Sequence, residues 1–534
     1  MNGSRDPLGE FLKSHVNRPR GLLGEFRKPH ANRSTRCRTI AFVTLLRMTP
    51  SAEKPELSHA TLTRDPDICQ AYSEDASGLI GVPDAVARPT SAKEVADLIA
   101  WCAGRPVPVP VTAQGLRSST VGSPLAMGGV ALSLEKLDRI IDIDIVRGLV
   151  IAEPGINLGA FKKSVAEAGL FFPPDPTSEN ECTLGGAVMT NASGARSYRY
   201  GATRPWVEAI DLVLGDGRST TIRRSHTTKN TVGYFGFQNP VDLIVGSEGT
   251  LGVATKIVVR LLPNPAGHLS GMAFFRTLTD AVVFVQEADR KSRSTGHRGE
   301  LERMHGSRGA MQPRCLELFD DGSLTMIRPQ AGSLNIPESA RAAIYFEEEC
   351  EPDALDARLE SWLALVESCQ GLADDTIVAT NEAQELELKR LRHALPSTMN
   401  ERGRAARAAG GMKLGTDWAV PLESVGPMIE EATRLADDLF GGFYIRYGHI
   451  GNGHPHFNML AKDANELARA REATHAMCLR AVALGGTVTA EHGVGKLKRE
   501  YVALQYPDWV IDAMRSVKRT LDPAGILAPG NIFG

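Results

Sequence analysis

Between residues 105 and 265 the chain is a succession of short β-rich runs cut by glycine and proline. They are "VPVPVT" (107–112), "GGVALSL" (128–134), "GLVIAEPG" (148–155), "AIDLVLGDG" (209–217), "LIVGSEGTLG" (243–252) and "KIVVRLLP" (256–263). Glycine and proline at that spacing end each strand after a few residues, so a core here must be assembled from many short strands. Helical patterns lie between them. "PTSAKEVADLIAWCAG" opens with a capping box, Ser91 with Glu94, and places Val95, Leu98, Ile99 and Cys102 on one face. "NLGAFKKSVAEAGL" is a second such helix.

Past Pro265 the texture changes. "AFFRTLTDAVVFVQEADR", "AAIYFEEE", "ALDARLESWLALVESC" and "VPLESVGPMIEEATRLADDLF" alternate strands with long amphipathic helices, and "NELARAREATHAMCLRAVALGG" is a helix stopped by Gly485 and Gly486. A last helix is expected near 508–521. The fold class is therefore α+β in two domains, 65–265 and 266–534, with 295–314 as a loop in the second. At 534 residues the chain exceeds one ordinary core, which agrees.

Residues 1–47 stand apart: eight arginines, few acids, and a short imperfect repeat, "LGEFLKSHVNR" and "LGEFRKPHANR". The apolar run "IAFVTLL" is short and closed by Arg47, a poor secretory signal. This stretch reads as a disordered extension, or as sequence upstream of a start at Met48, with an organellar transit peptide left open. The formal net charge of −3 gives no field for nucleic acid. No eighteen apolar residues run together. Eight cysteines without CxxC pairs match neither common zinc and iron–sulfur spacings nor a disulfide framework. A cytoplasmic, reducing location is expected, with peripheral membrane association left open.

Two stretches carry chemistry. "AQGLRSSTVGS" (113–123) offers backbone N–H groups and hydroxyls in the manner of an anion nest, without the Gly-Lys-Ser/Thr of a Walker loop or a GxGxxG fingerprint. "YIRYGHIGNGHPHFNML" (444–460) reads as strand, glycine turn, strand, with three of the chain's thirteen histidines in eight residues. Two imidazoles at a hairpin need a carboxylate to make an open divalent site, and Glu491 in "TAEHGVGKLKREY" (489–501) is the candidate.

The runs 171–217 and 229–263, with the loop at 113–123, resemble the PCMH-type FAD-binding domain of the vanillyl-alcohol-oxidase superfamily. The likeness is to the branch containing the flavoprotein subunit of glycolate oxidase, D-lactate dehydrogenases and D-2-hydroxyglutarate dehydrogenase, and it extends from about residue 65 to the C-terminus. It implies a PCMH-type FAD-binding domain, a substrate (cap) domain with a C-terminal return segment, and non-covalent FAD. Gly115, Ser118, Ser119, Thr120 and Gly122 would take the pyrophosphate, although Arg117 stands where the branch usually has glycine. Pro154, Gly155, Pro174, Asp175, Gly185, Gly186, Asn191, Gly194, Glu248, Gly249 and Gly252 would line the flavin.

The branch pattern His-x-Gly-Asp-Gly-Asn-x-His followed by Glu-His-Gly appears here with Asn452 for the Asp and His454 for the Asn. The resemblance makes His449, His456 and Glu491 ligands of Zn²⁺ or a similar ion, and His492 the general base. His454 either contacts substrate or adds a ligand, and is grouped here with the substrate residues Arg392 and Lys413. The activity implied is FAD-dependent oxidation of a 2-hydroxy acid, D-configured by analogy. The alternatives are a redox-neutral flavoenzyme resembling alkyldihydroxyacetonephosphate synthase and a non-catalytic flavin-binding subunit. No cysteine-rich iron–sulfur extension follows "LAPGNIFG", so electrons are expected to leave to a separate acceptor: a quinone, an electron-transfer flavoprotein, a partner subunit or O₂. A homo-oligomer is left open.

Overall fold

The helix after Ser91 shows the local code at work in the computed structural model. The Ser91 hydroxyl accepts from the Glu94 N–H at 3.2 Å, and the Glu94 carboxylate reaches back to the Thr90 N–H at 2.8 Å, one residue earlier than a standard capping box. Over Ala92–Ala103 the face made by Val95, Leu98, Ile99 and Cys102 is fully buried, as its spacing predicts.

The structure describes residues 62–227, 229–292, 311–332 and 334–533. The extension at 1–47 and most of the 295–314 loop lie outside them. Three main sheets form the body. The first joins Leu62–Thr63, Ala85–Ala87, Val130–Ser133 and Val111–Gln114 in that order, with parallel pairing among the last three. The second is antiparallel, in the order Ile140–Asp144, Leu149–Ala152, Val253–Arg260, Val207–Val213 and Ser219–Arg223. The third has seven antiparallel strands: Ile377–Val378, His268–Phe275, Ala342–Glu349, Pro313–Asp320, Phe443–Gly448, His456–Asp463 and Gly410–Gly415. Long helices cover this sheet, among them Leu278–Ser292, Leu355–Ser368 and Ala464–Ala483.

The end of the chain returns to the first sheet. Val111 donates to the Ile526 carbonyl at 2.8 Å, Ala528 donates back to Val111 at 2.8 Å, and Ile526 and Leu527 join the core around the Ala92–Ala103 helix. Residues from both ends of the sequence thus share one core.

One local expectation is corrected. "LIVGSEGTLG" is not a strand: Val241–Ile244 is one helical turn, and Glu248 (φ 52°) and Gly249 (φ 74°) sit in the left-handed region, which no strand admits. Around Arg392 a 25-residue helix, Glu382–Ala406, carries Pro396 inside it, a residue that ordinarily argues for a break. Among the described residues no helix is long and apolar enough to cross a membrane, and all seven cysteines are free.

Candidate active site

The strand Phe443–Gly448 ends in a tight turn, residues 450–452, and returns as His456–Asp463, with Tyr447 opposite His456. Two glycines permit this geometry. At Gly448 (φ 101°) a Cβ would stand 2.8 Å from the His456 ring, and at Gly453 (φ 68°) one would stand 1.9 Å from the Val420 carbonyl. The hairpin therefore closes on itself and seats directly against the 418–420 segment, where His454 Nδ1 meets the Trp418 carbonyl at 2.6 Å.

Opposite lies the Glu491-His492 turn. The donor atoms of His449, His456 and Glu491 all fall within 4.8 Å of one another. Glu491 Oε2 is 3.3 Å from His449 Nε2 and 3.6 Å from His456 Nε2, while its Oε1 accepts from Ser193 at 2.9 Å. Glu317, on the neighbouring strand, takes His449 Nδ1 at 2.7 Å. A ligating imidazole anchored by a carboxylate through its other nitrogen is the usual support of a metal ligand.

The charges follow from this packing. Burial opposes ionisation of His449, but Glu317 and Glu491 on either side hold its pKa well above the imidazole range. Burial, with His454 and His449 beside it, drives His456 well below that range, leaving a neutral ring with a lone pair to offer. Burial also pushes against the Glu491 carboxylate, yet His449 outweighs it and holds the group well below the ordinary value. A neutral imidazole, an anchored imidazole and an ionised carboxylate fit a divalent cation.

His492 lies beside the triad, its ring parallel to His456 with centroids 5.8 Å apart, and 33 % of its side chain is exposed. Desolvation lowers its pKa, against the pull of Asp417. Asp417 is a residue the sequence reading missed. Its carboxylate lies 3.4 Å from His492 Nδ1, accepts from the backbone N–H groups of Glu491 and His492 at 3.2 Å each, and takes Lys498 at 2.6 Å and the Thr489 hydroxyl. Glu317 was missed too, although a glutamate inside a strand buried along its whole length (Pro313–Asp320) is a signal in itself. Asn458, two residues after His456, is a third: its buried Nδ2 has no hydrogen-bond partner.

The proposed substrate cations are placed differently. Arg392 Nε pairs with Glu317 at 3.2 Å, behind His449. Lys413, on the edge strand Gly410–Gly415, donates to Asn400 at 2.9 Å, and burial pulls its ammonium down to about 8.

The glycine-rich loop is adjacent. Among the described residues, the backbone N–H groups of Leu116 to Thr120 donate to no protein acceptor, and Arg117 holds φ 60°. That left-handed backbone is why glycine suits the position; here the guanidinium lies 4.6 Å over the Tyr72 ring instead. A row of unengaged N–H groups around an αL residue is an anion nest, which fits a pyrophosphate. The loop is tied to the Glu491-His492 turn: Val121 accepts from Lys496 N at 2.9 Å, and Glu248 accepts from Val494 N and Gly495 N at 2.7 Å each. Asn531 adds bonds to the Ser123 and Glu248 carbonyls at 2.8 and 3.1 Å.

Of the residues expected to line the flavin, several pack on one another. A Cβ on Gly155 would meet the Leu134 carbonyl at 2.0 Å, on Gly185 the Pro154 carbonyl at 2.7 Å, on Gly194 the Asp175 carbonyl at 2.0 Å, and on Gly252 the Leu212 side chain at 2.7 Å. Gly186, in the first turn of the helix Leu184–Met189, donates its N–H to the capping Thr183 hydroxyl at 3.0 Å, and Asn191 (φ 50°) accepts from Arg204 N at 2.9 Å. Asp175, whose burial raises its pKa, accepts from Arg196 N at 3.0 Å, and Pro174 precedes it.

Comparison with known proteins agrees with this geometry. The family model "FAD binding domain" matches residues 83–223, and "FAD linked oxidases, C-terminal domain" matches 303–532. The glycolate oxidase subunit GlcD of Bacillus subtilis is 27 % identical, over 86 % of this chain and 92 % of its own. A D-2-hydroxyglutarate dehydrogenase of Xanthomonas citri is 28 % identical over 84 % and 89 %. An uncharacterised FAD-linked oxidoreductase of Mycobacterium tuberculosis is 30 % identical over 87 % and 94 %. Among solved structures, alkyldihydroxyacetonephosphate synthase superposes with a TM-score of 0.64 at 18 % identity, covering 88 % of this chain and 82 % of that one, a likeness of fold. Matched by both domain models and by full-length relatives, the chain belongs to the FAD-linked oxidases and is an FAD-dependent oxidoreductase with a PCMH-type FAD-binding domain.

Proposed function

We propose that the protein oxidises a small 2-hydroxy acid to the 2-oxo acid, with non-covalent FAD and a divalent cation, zinc or a similar ion. The observation that carries this reading is the convergence of His449, His456 and Glu491 with His492 beside them, on a turn bonded through Glu248 to the flavin-binding half. The relatives named for glycolate and for D-2-hydroxyglutarate support the substrate class and, for the latter, the D configuration.

When bound, FAD supplies the hydride acceptor that no side chain provides, and a divalent cation at the triad lowers the pKa of a substrate hydroxyl. The protein does the rest. His492, desolvated and therefore neutral near pH 7, takes the hydroxyl proton. Asp417 is a positioning residue: it fixes the His492 backbone and faces its Nδ1, leaving Nε2 to act as the base. Glu317, itself paired with Arg392, orients His449, and Lys413 supplies positive charge for the substrate carboxylate. A separate acceptor would take the electrons onward.

Anaerobic mixing with a panel of 2-hydroxy acids, both enantiomers of each, tests the proposal. Flavin bleaching by one class, with the matching 2-oxo acid formed in equal amount, is expected. Bleaching by none of them overturns the substrate class, and flavin that stays with the pellet on acid precipitation overturns non-covalent binding.

A further inference from the structure

We infer that the loop at residues 229–238 is a membrane-surface anchor, whose aromatic tip enters the headgroup region of an anionic bilayer. Val232, Tyr234, Phe235 and Phe237 are 83, 84, 88 and 53 % exposed. Single exposed apolar side chains are ordinary, but four large ones in six residues is more than any other stretch of the described chain presents.

The tip is braced from within and stands clear of the body. Val232 N donates to the Asn230 side chain at 2.9 Å, and Gln238 Nε2 donates to the Asn230 carbonyl at 3.2 Å. Phe237 N donates to the Tyr234 carbonyl at 2.9 Å and Gln238 N to the Phe235 carbonyl at 3.0 Å. At Gly233 and Gly236 a Cβ would meet no atom within 4 Å. The neck of the loop is what holds to the protein: Asn239 accepts from Ser225 N at 2.8 Å, and Arg224 grips Asp242 at 2.6 and 3.1 Å. The rings are thus held outward on a closed turn. Backbone groups already paired within that turn lower the cost of moving it into a region poor in water.

Charge selects the partner. Residues 217–241 contain no Asp or Glu but carry Arg218, Arg223, Arg224 and Lys229. Asp216 and Asp242 hold Arg218 and Arg224, while Arg223 and Lys229 are exposed. Aromatic rings at a tip with cations behind them match a bilayer interface, where rings settle among the headgroups and basic side chains meet anionic lipid. The formal charge of the whole chain is −3, so attraction to an anionic surface must be local. A second copy docking loop to loop would instead set these cations against one another.

The test is co-sedimentation of the FAD-loaded full chain with vesicles of phosphatidylcholine alone or mixed equally with phosphatidylglycerol. The arginines of residues 1–47 also favour anionic lipid, so the loop is read by comparing wild type with the double variant Phe235→Ser, Phe237→Ser. Binding to the mixed vesicles, weaker in high salt, should fall at least about tenfold in the double variant and by less in Lys229→Gln, with flavin content and melting temperature retained. Equal binding by wild type and double variant, or no binding by wild type, overturns the inference. Loss of flavin from the double variant overturns it as well, by making the loop a cover for the cofactor. So does a wild-type dimer that the double variant dissolves, which would make the loop a contact between copies.

Discussion

Two buried charge clusters lie side by side on the seven-stranded sheet, and they are built on opposite rules. At Glu347 the carboxylate itself is fully answered: Arg314 reaches it at 2.7 and 3.1 Å, Arg196 at 3.1 Å and the Tyr345 hydroxyl at 2.6 Å. Burial works against that carboxylate, but Arg196 and Arg314 outweigh it and hold its pKa well below the usual range. Around Glu491 the opposite holds. His454 Nε2, Asn458 Nδ2 and Trp418 Nε1 are buried without partners. A closed network fixes a scaffold, whereas a partly satisfied one at the same depth is tolerated where something else completes it. Arg196, inside the 171–217 run, ties that run to the sheet through Glu347; Glu491 belongs to the candidate metal site.

The difference can be broken in order of expected effect. His492→Ala should lower the rate of anaerobic flavin reduction about 10²–10⁴-fold, with FAD and metal retained; stopped-flow kinetics with parallel metal analysis checks it. Glu347→Gln should hardly touch the chemistry of the folded fraction but cost about 3–5 kcal/mol of stability, because two arginines are left partly unpaired in the interior. Denaturant unfolding measures this, and a stable Glu347→Gln protein with lost activity would reverse the roles assigned to the two clusters. Glu317→Gln, at the seam between them, should weaken metal binding about 10–100-fold by loosening His449, read by competition with a chelator.

The smallest effect concerns pH. Burial pulls Lys413 down to about 8, so its charge is present below that pH and lost as pH rises through it. If the ammonium holds the substrate carboxylate, kcat/KM should fall by about tenfold above pH 8, the worth of one charged hydrogen bond. Lys413→Met should start from that lower value and lose this step in its profile.

Much of this was legible in the chain. The hairpin at 444–460, the helices Leu158–Glu167 and Ala464–Ala483 and the strand "AAIYFEEE" follow from periodicity and glycine placement, which act within a few residues. The histidine pair and Glu491 were visible as a local excess of imidazole and a motif. Asp417 and Glu317 were not, because a carboxylate's role is set by which backbone amides and imidazoles the tertiary fold brings to it, and these lie 74 and 132 residues away. Glu248 misled for the same reason: in "GSEGTLG" it looks like strand, yet its left-handed backbone exists to meet the 494–495 amides.

The central claim is that flavin reduction by a hydroxy acid needs the cation at His449, His456 and Glu491. The direct measurement is anaerobic single-turnover reduction of the FAD-loaded protein, metal-stripped and then restored with one equivalent of Zn²⁺, using the hydroxy acid that bleaches it fastest. The stripped protein should keep its flavin yet reduce it at least about 10²-fold more slowly, with the rate returning on addition of metal. Equal reduction in stripped and restored protein would contradict the account.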